Sequence, residues 1–236
     1  MPDNSKQIQP DTGLKIPMPD VVRFVRQLSH DLRNHLNAAE LQSAYINEIA
    51  PDAELKGEVK RLRGMLSEMG GSLQRLTSSL APVKLTEMSY EASSFAEDLQ
   101  QKIKTQFPEE SEAIDWQVNT GRAALEIDPQ VLQQAFIELF ANAFRHARGP
   151  GQLQARVGLD KNEFVFNLQE SKTSFEGSPE NWGREPFRKV GHGHYGLGLH
   201  RARTIIETHG GRFNVRYDPA SSSLVTTVGL PIGTPA

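Results

Sequence analysis

Three clusters of side chains in this sequence have types and spacings that could do chemistry. The first is Ser29-His30-Asp31-Leu32-Arg33-Asn34-His35-Leu36-Asn37. An imidazole offers a nucleophilic nitrogen near neutral pH. A carboxylate at the next position can take the proton lost on attack or hold one tautomer. In a helix Asn34 lies four residues on, beside His30 on one face. The plain alternative is a solvated helix face, where polar residues belong. The second cluster is Glu138, Asn142, Arg145 and His146 within QAFIELFANAFRHA. Glu138 and Asn142 are four apart, so they share one side of a helix, and the basic pair makes that side unusually polar. The third is GHGHYGLGLHRAR, Gly191 to Arg203, with Gly196-Leu197-Gly198-Leu199 at its centre. Glycines there let backbone N–H groups approach a phosphate, and a following helix N-terminus adds a favourable dipole. Glycines also simply make turns, so position counts for more than composition.

These clusters need elements to hold them. From Val21 to about Ala50 the pattern is helical, with Val25, Leu28, Leu32, His35, Ala39, Gln42, Ile46 and Ile49 at steps of three and four. Pro51-Asp52 marks a turn. Leu55, Val59, Leu62, Leu66, Met69, Leu73, Leu76 and Leu80 then form an a/d heptad seam. Gly70-Gly71 weakens that helix, by about 1 kcal/mol per glycine relative to alanine, and Pro82 ends it. Assigning Val25 to a and Leu28 to d puts His30 at f, away from the seam, and Asp31 at g. His35 falls on the seam and reads as structural. A lone two-helix hairpin leaves apolar surface wet. Pairing with a second copy into a four-helix bundle covers it, so a homodimer is expected. Later helices completing a bundle within one chain are the alternative.

After Pro82 the pattern changes. A short strand near Glu87–Tyr90 precedes a helix over about Ser93–Phe107. Strand-like stretches follow at Ala113–Asn119 and Ala123–Ile127. Asp128 and Pro129 open a helix running to about Ala147. Strands at Gln152–Leu159 and Glu163–Gln169 flank a turn at Asp160-Lys161-Asn162. An irregular Gly/Pro/Ser-rich stretch fills Ser171–Tyr195. A helix opens near Gly198 and stops at Gly210-Gly211. Arg212–Tyr217 and Leu224–Leu230 read as a closing hairpin. The fold class is α+β: an N-terminal helical hairpin forming a dimeric four-helix bundle, then an α/β sandwich. The expected organisation is a flexible leader at 1–20, a hairpin domain at 21–82 and a sandwich domain at 83–236.

Composition excludes several function classes. With no cysteine among 236 residues, disulfides, zinc–thiolate sites and cysteine nucleophiles are ruled out. A net charge of −3 gives no reason to expect nucleic-acid binding. No apolar run approaches the roughly 18 residues of a membrane span. The N-terminus has no apolar h-region. The expected setting is the cytoplasm, without membrane insertion.

SHDLRNHL ahead of a heptad hairpin resembles the histidine box of sensor histidine kinases. QAFIELFANAFRHA, preceded by IDPQVLQQ, resembles their asparagine box. REPFRK, Arg184 to Lys189, resembles their phenylalanine box, and GHGHYGLGLHRAR their second glycine box. The resemblance covers about residues 21 to 232 and makes the sandwich an ATPase of the histidine-kinase type. It implies that His30 is phosphorylated from ATP, that Asp31 assists proton transfer, and that Asn34 orients water during dephosphorylation of a partner. Asn142 and Glu138 would hold magnesium between the phosphates, a metal that suits oxygen ligands and keeps several waters. Arg145 and His146 would lie near the phosphates, with Gly196, Leu197, Gly198 and Leu199 completing their cradle. Only eight residues separate Phe187 from Gly196, which implies a short nucleotide lid.

One box departs from the family. Its aspartate, which accepts the adenine amino group, is replaced by Glu170 in LQESKTSFEG, and Lys172 and Ser174 replace glycines. Losing one well-placed charged hydrogen bond costs about 1.5–3 kcal/mol, so the adenine side is expected to be the weaker half of the site. The implied activity is a protein histidine autokinase using Mg-ATP, passing phosphate to an aspartate of a response-regulator receiver domain. A different class remains open: an ATP-independent phosphotransfer or docking protein with a degenerate ATPase domain. An ATPase of the kind found in some chaperones and topoisomerases is a third reading, which His30 and the hairpin oppose.

Overall fold

The computed structural model describes residues 17–121, 123–145, 149–173, 175, 178–184, 186 and 196–233. The chain divides into two compact units, Met1–Ser78 and Ser79–Ala236. Among the described residues no helix is long and apolar enough to cross a membrane.

The first unit is the hairpin of α1 (Met18–Ile49) and α2 (Ala53–Ser79). Helix α1 begins three residues before the Val21 start expected from its stripe, with an early proline and Asp20 in its first turn, where both favour a helix start. Asp52 caps α2, its Oδ1 accepting the Leu55 N–H at 2.7 Å. Gly70 and Gly71 lie within α2 without interrupting it. The stripe of α1 turned toward α2 differs from the one the apolar spacing marks. Ser29 and Ser43 are buried, and Leu36 half-buried, while Leu28, Leu32 and Ile49 stay exposed and His35 is exposed as well. Polar contacts join the two helices: Arg33 Nη2 donates to Gln74 Oε1 at 2.6 Å, and Arg63 Nη2 stands 3.8 Å from Glu40 Oε1. Of the apolar rows identified in the sequence, Leu28, Leu32, Ile49, Leu55, Leu62 and Met69 are thus exposed in a single chain, while Val59 is buried.

The second unit holds β1 (Met88–Glu91), α3 (Ala92–Gln106), β2 (Ile114–Asn119), β3 (Ala124–Ile127), α4 (Pro129–Arg145), β4 (Leu153–Asp160), β5 (Glu163–Ser171), α5 (Gly198–Thr208), β6 (Arg212–Asp218) and β7 (Ser223–Pro231). Five strands form one sheet in the order β2-β4-β5-β7-β6. β2 runs parallel to β4, and the other pairs are antiparallel. β3 instead pairs antiparallel with β1 in a separate ribbon. The parallel β2–β4 pair needs a crossover, and α4 supplies it.

Alternation along β5 sets the layers. Phe164, Phe166 and Leu168 point into the core. Opposite them α4 buries Leu132, Ala135, Phe136, Leu139, Phe140 and Ala143, the spacing of one helix side. Phe136 meets Phe166 edge-on at 4.7 Å, and Phe95 of α3 lies 5.7 Å from Phe136. Each fully buried aromatic contributes about 1.5–3 kcal/mol relative to exposure. That leaves the other side of α4 free to be polar.

Candidate active site

On α1, Ser29 is buried, so the next side chain swings about a quarter-turn outward. The His30 side chain is 68% exposed. Its Nδ1 lies 3.2 Å from Asp31 Oδ1. The same oxygen accepts from Gln27 Nε2 at 2.9 Å, one turn earlier. With the ring proton on Nδ1, Asp31 accepts it and Nε2 keeps its lone pair. Asn34 is exposed one turn further along. Gln27 was not singled out in the sequence. Its spacing of four from Asp31 was the signal that could have found it.

In the second unit, Asp128 builds the start of α4. Its Oδ1 accepts the Val131 N–H at 3.0 Å and its Oδ2 the Thr86 N–H at 2.9 Å. Burial would raise the Asp128 carboxyl, but the N–H groups of Thr86, Val131 and Gln130 outweigh it and hold the carboxyl below its ordinary value. Buried His209 closes the far end of α5. It bonds the Ile205 carbonyl through Nδ1 at 2.8 Å and takes the Asp128 N–H on Nε2 at 3.2 Å.

Further along α4, Glu138 and Asn142 are half-buried and Arg145 is exposed. Glu138 reaches the first turn of α5. A methyl group added at Gly198 would run into the Glu138 carboxylate, so the carboxylate would have to shift. Gly196 takes a left-handed φ of 64°, which glycine adopts freely. Leu197 is buried and anchors the turn, and Leu199 is half-buried. Among the described residues no side chain caps the start of α5, which lies beside a carboxylate. A helix N-terminus favours anions. A phosphate entering there would face Glu138 and would need a cation between them.

Two arrangements here escaped the sequence. Arg203, buried on α5, donates twice to the Trp182 carbonyl, at 3.1 and 2.9 Å, and lies 4.6 Å over the Phe213 ring. Gly183 takes a φ of 72°, and a side chain there would meet the Leu199 carbonyl at 2.8 Å, so the Trp182-Gly183 turn is fastened to the first turns of α5. Nothing in the local sequence links residues 21 apart. The second is an ion pair, Lys172 Nζ to Glu170 Oε2 at 2.7 Å. His146 and Phe187 lie outside the described residues. The hairpin cluster and the α4–α5 cluster belong to different units.

Residues 127–233 match the family of histidine kinase-, DNA gyrase B- and HSP90-like ATPases. The second unit is a histidine-kinase-type ATPase domain. The match covers most of the second unit, and the hairpin lies ahead of it in the chain. It is 24% identical over 210 residues to the alginate biosynthesis sensor protein KinB of Pseudomonas aeruginosa, covering 85% of this chain and 35% of that protein. It is 22% identical over 209 residues to the adaptive-response sensory-kinase SasA of Prochlorococcus marinus, covering 80% of this chain and 53% of that one. The chain thus spans about half or less of the length of these relatives. The fold is also similar to part of full-length ShkA, solved in complex with AMPPNP. The TM-score is 0.68 at 18% identity, over 91% of this chain and 46% of that one.

Proposed function

We propose that this chain is a histidine autokinase. In this reading His30 Nε2 attacks the γ-phosphorus of ATP, a P–N bond forms, the P–O bond to ADP breaks, and the Nδ1 proton is held by Asp31. The phosphoryl group then passes to an aspartate of a response-regulator receiver domain. Asn34, exposed one turn from His30, would orient water when that partner is dephosphorylated. The observation that carries this reading is an outward imidazole oriented by its neighbouring carboxylate, in a chain that also holds a histidine-kinase-type ATPase domain.

The α4–α5 cluster suits the triphosphate. Gly196 and Gly198 permit close backbone approach, and Arg145 supplies positive charge. Magnesium fits the Asn142 amide oxygen and the Glu138 carboxylate. Among the described residues no group of three or more His, Cys, Asp or Glu could hold a metal unaided, which suits an ion that takes its remaining ligands from phosphate and water. Bound there, it would supply positive charge against the phosphate oxygens.

A second copy of the chain would cover Leu28, Leu32, Ile49, Leu55, Leu62 and Met69, all exposed in one hairpin, giving a homodimeric four-helix bundle. A receiver-domain partner places the hairpin in the cytoplasm.

Incubation with γ-labelled ATP and magnesium tests the proposal. The label should be acid-labile and base-stable, as a phosphoramidate is, and absent from His30→Gln. Nucleotide binding without any labelling of the wild type would contradict it.

A further inference from the structure

The connector between α2 and β1, residues 80–87, forms no helix or strand of its own. Helix α5 nevertheless holds it at two points. Near its start, Arg201 donates through Nη1 to the Ala81 carbonyl. At its far end, His209 takes the Asp128 N–H, and Asp128 Oδ2 accepts the Thr86 N–H at 2.9 Å. Between the two points, Val83 is half-buried against the core. Arg201 is half-buried too, and burial pushes its guanidinium below the ordinary value. Taking a cation partly out of water costs free energy unless it is hydrogen-bonded, and a backbone carbonyl is its partner here. The Arg201 N–H itself bonds the Leu197 carbonyl at 2.8 Å. Its backbone therefore belongs to the turn that begins at Leu197 and Gly198.

Ala81 stands two residues past Ser79, the last residue of α2. With Ala81 held, the second unit grips the connector almost where the hairpin ends. Released there, the grip begins at Val83 or at Thr86. Five residues of extended chain reach about 17 Å. The contact thus decides between a short tether and a long one. His30 and the α4–α5 cluster belong to different units. Transfer must bring the reacting atoms to about 3–3.5 Å, and the face of His30 must then be vacated for a receiver domain. A short tether restricts that travel.

Resting on the autokinase reading above, we propose that Arg201 is a positioning residue that restrains phosphoryl transfer: by holding the Ala81 carbonyl it keeps the connector short and limits the travel of the ATPase domain to His30. It acts through the connector and not on the nucleotide.

A lysine-specific endoproteinase reads the connector directly in the full chain, because Lys84 lies exposed within it. Cleavage after Lys84, followed by mass spectrometry, should be about fivefold faster or more in Arg201→Met. The same variant should label His30 with a kcat about threefold higher and an unchanged KM for ATP. Arg201→Lys, which keeps a cationic donor, should fall between it and wild type. Two glycines inserted into wild type separate tether length from the arginine itself. Placed after Leu80, ahead of the held carbonyl, they lengthen the tether and should raise kcat as Arg201→Met does. Placed after Pro82, behind it, they should leave kcat near wild type. Equal cleavage at Lys84 in wild type and Arg201→Met overturns the proposal. So does a kcat that Arg201→Met leaves unchanged or lowers, a KM that changes with it, or two insertions that behave alike. The insertions leave α5 intact, so they decide the matter if Arg201→Met does not fold. A wild type whose His30 takes no label overturns the autokinase reading, and the restraint on transfer with it. The cleavage comparison needs no nucleotide and still decides whether Arg201 holds the connector.

Discussion

The two units bury different things. In the second, helices α3, α4 and α5 and the sheet share one aromatic-rich core, with Phe95, Phe136, Phe140, Phe164 and Phe166 fully buried. In the first, the buried residues include Ser29 and Ser43, while leucines and methionines of both helices are exposed. A unit that buries serine and exposes leucine has its apolar surface arranged for something outside itself. The ATPase domain is self-sufficient in this sense and the hairpin is not. The candidate site residues follow the same division. His30 stands on an exposed face, whereas Glu138 and Gly198 meet between α4 and α5.

The largest expected effect breaks that comparison at its strongest side. Phe136→Ala removes a buried ring from the second unit and should cost about 3–5 kcal/mol, a large part of a typical domain's stability. Thermal melts followed by near-UV circular dichroism should lose the ATPase transition, while hairpin helicity remains. Leu28→Ala, on the exposed row of the hairpin, should leave that transition in place and instead weaken the dimer, read by light scattering at low micromolar concentration. A wild type that is monomeric at that concentration would remove the reason for the exposed row.

Gly198→Val comes next. Its side chain has no room beside the Glu138 carboxylate, so Glu138 or the first turn of α5 must shift. ATP affinity should fall by about tenfold or more, roughly 1.4 kcal/mol, with the melting transition shifted by much less than in Phe136→Ala. Calorimetry and a melt on the same sample separate the two outcomes.

Asp128→Ala should cost about 1 kcal/mol through the lost helix cap. Its pH dependence has a definite sign. The folded carboxyl lies below its ordinary value, and the unfolded one titrates near 3.9. The stabilisation is therefore fully present above about pH 4 and is lost as pH falls through the folded value. The difference in melting temperature between wild type and Asp128→Ala should be constant near neutrality and narrow in acid. A gap that widens as pH falls would contradict this account of the cap.

The smallest effect is on Asn34. Asn34→Ala should leave His30 labelling close to wild type and slow the dephosphorylation of a phosphorylated receiver partner. Equal loss of both would show that Asn34 acts on His30 itself.

Much of this was legible in the sequence. The alternation of β5, the Asp128-Pro129 helix start and the Gly210-Gly211 helix stop are local patterns, and local patterns survive folding. The strands Ile114–Asn119 and Ala124–Ile127 could be recognised but not partnered. Their neighbours in the sheets are set by the α4 crossover and by β1, which no periodicity encodes. On α1 two stripes of helical spacing lie side by side. Sequence favours the apolar one, yet within one chain the helix turns its serines toward α2. At the α4–α5 cluster, the spacing of Glu138 and Asn142 and the run of glycines were visible in the sequence. The Glu170–Lys172 contact was not. Spacing of two on a strand puts both side chains on one face, but only the buried end of β5 forces them together. The Arg203–Trp182 clamp had no local signal at all.

The central claim is that His30 takes the phosphoryl group because α1 turns it outward and Asp31 holds its Nδ1. Mapping the modified residue by mass spectrometry at neutral pH, after incubation of wild type with Mg-ATP, tests it most directly. Phosphate should be found on His30 and on no other residue. Phosphate on His35, one of the chain's seven histidines and five residues along the same helix, would contradict the claim, as would an unmodified chain.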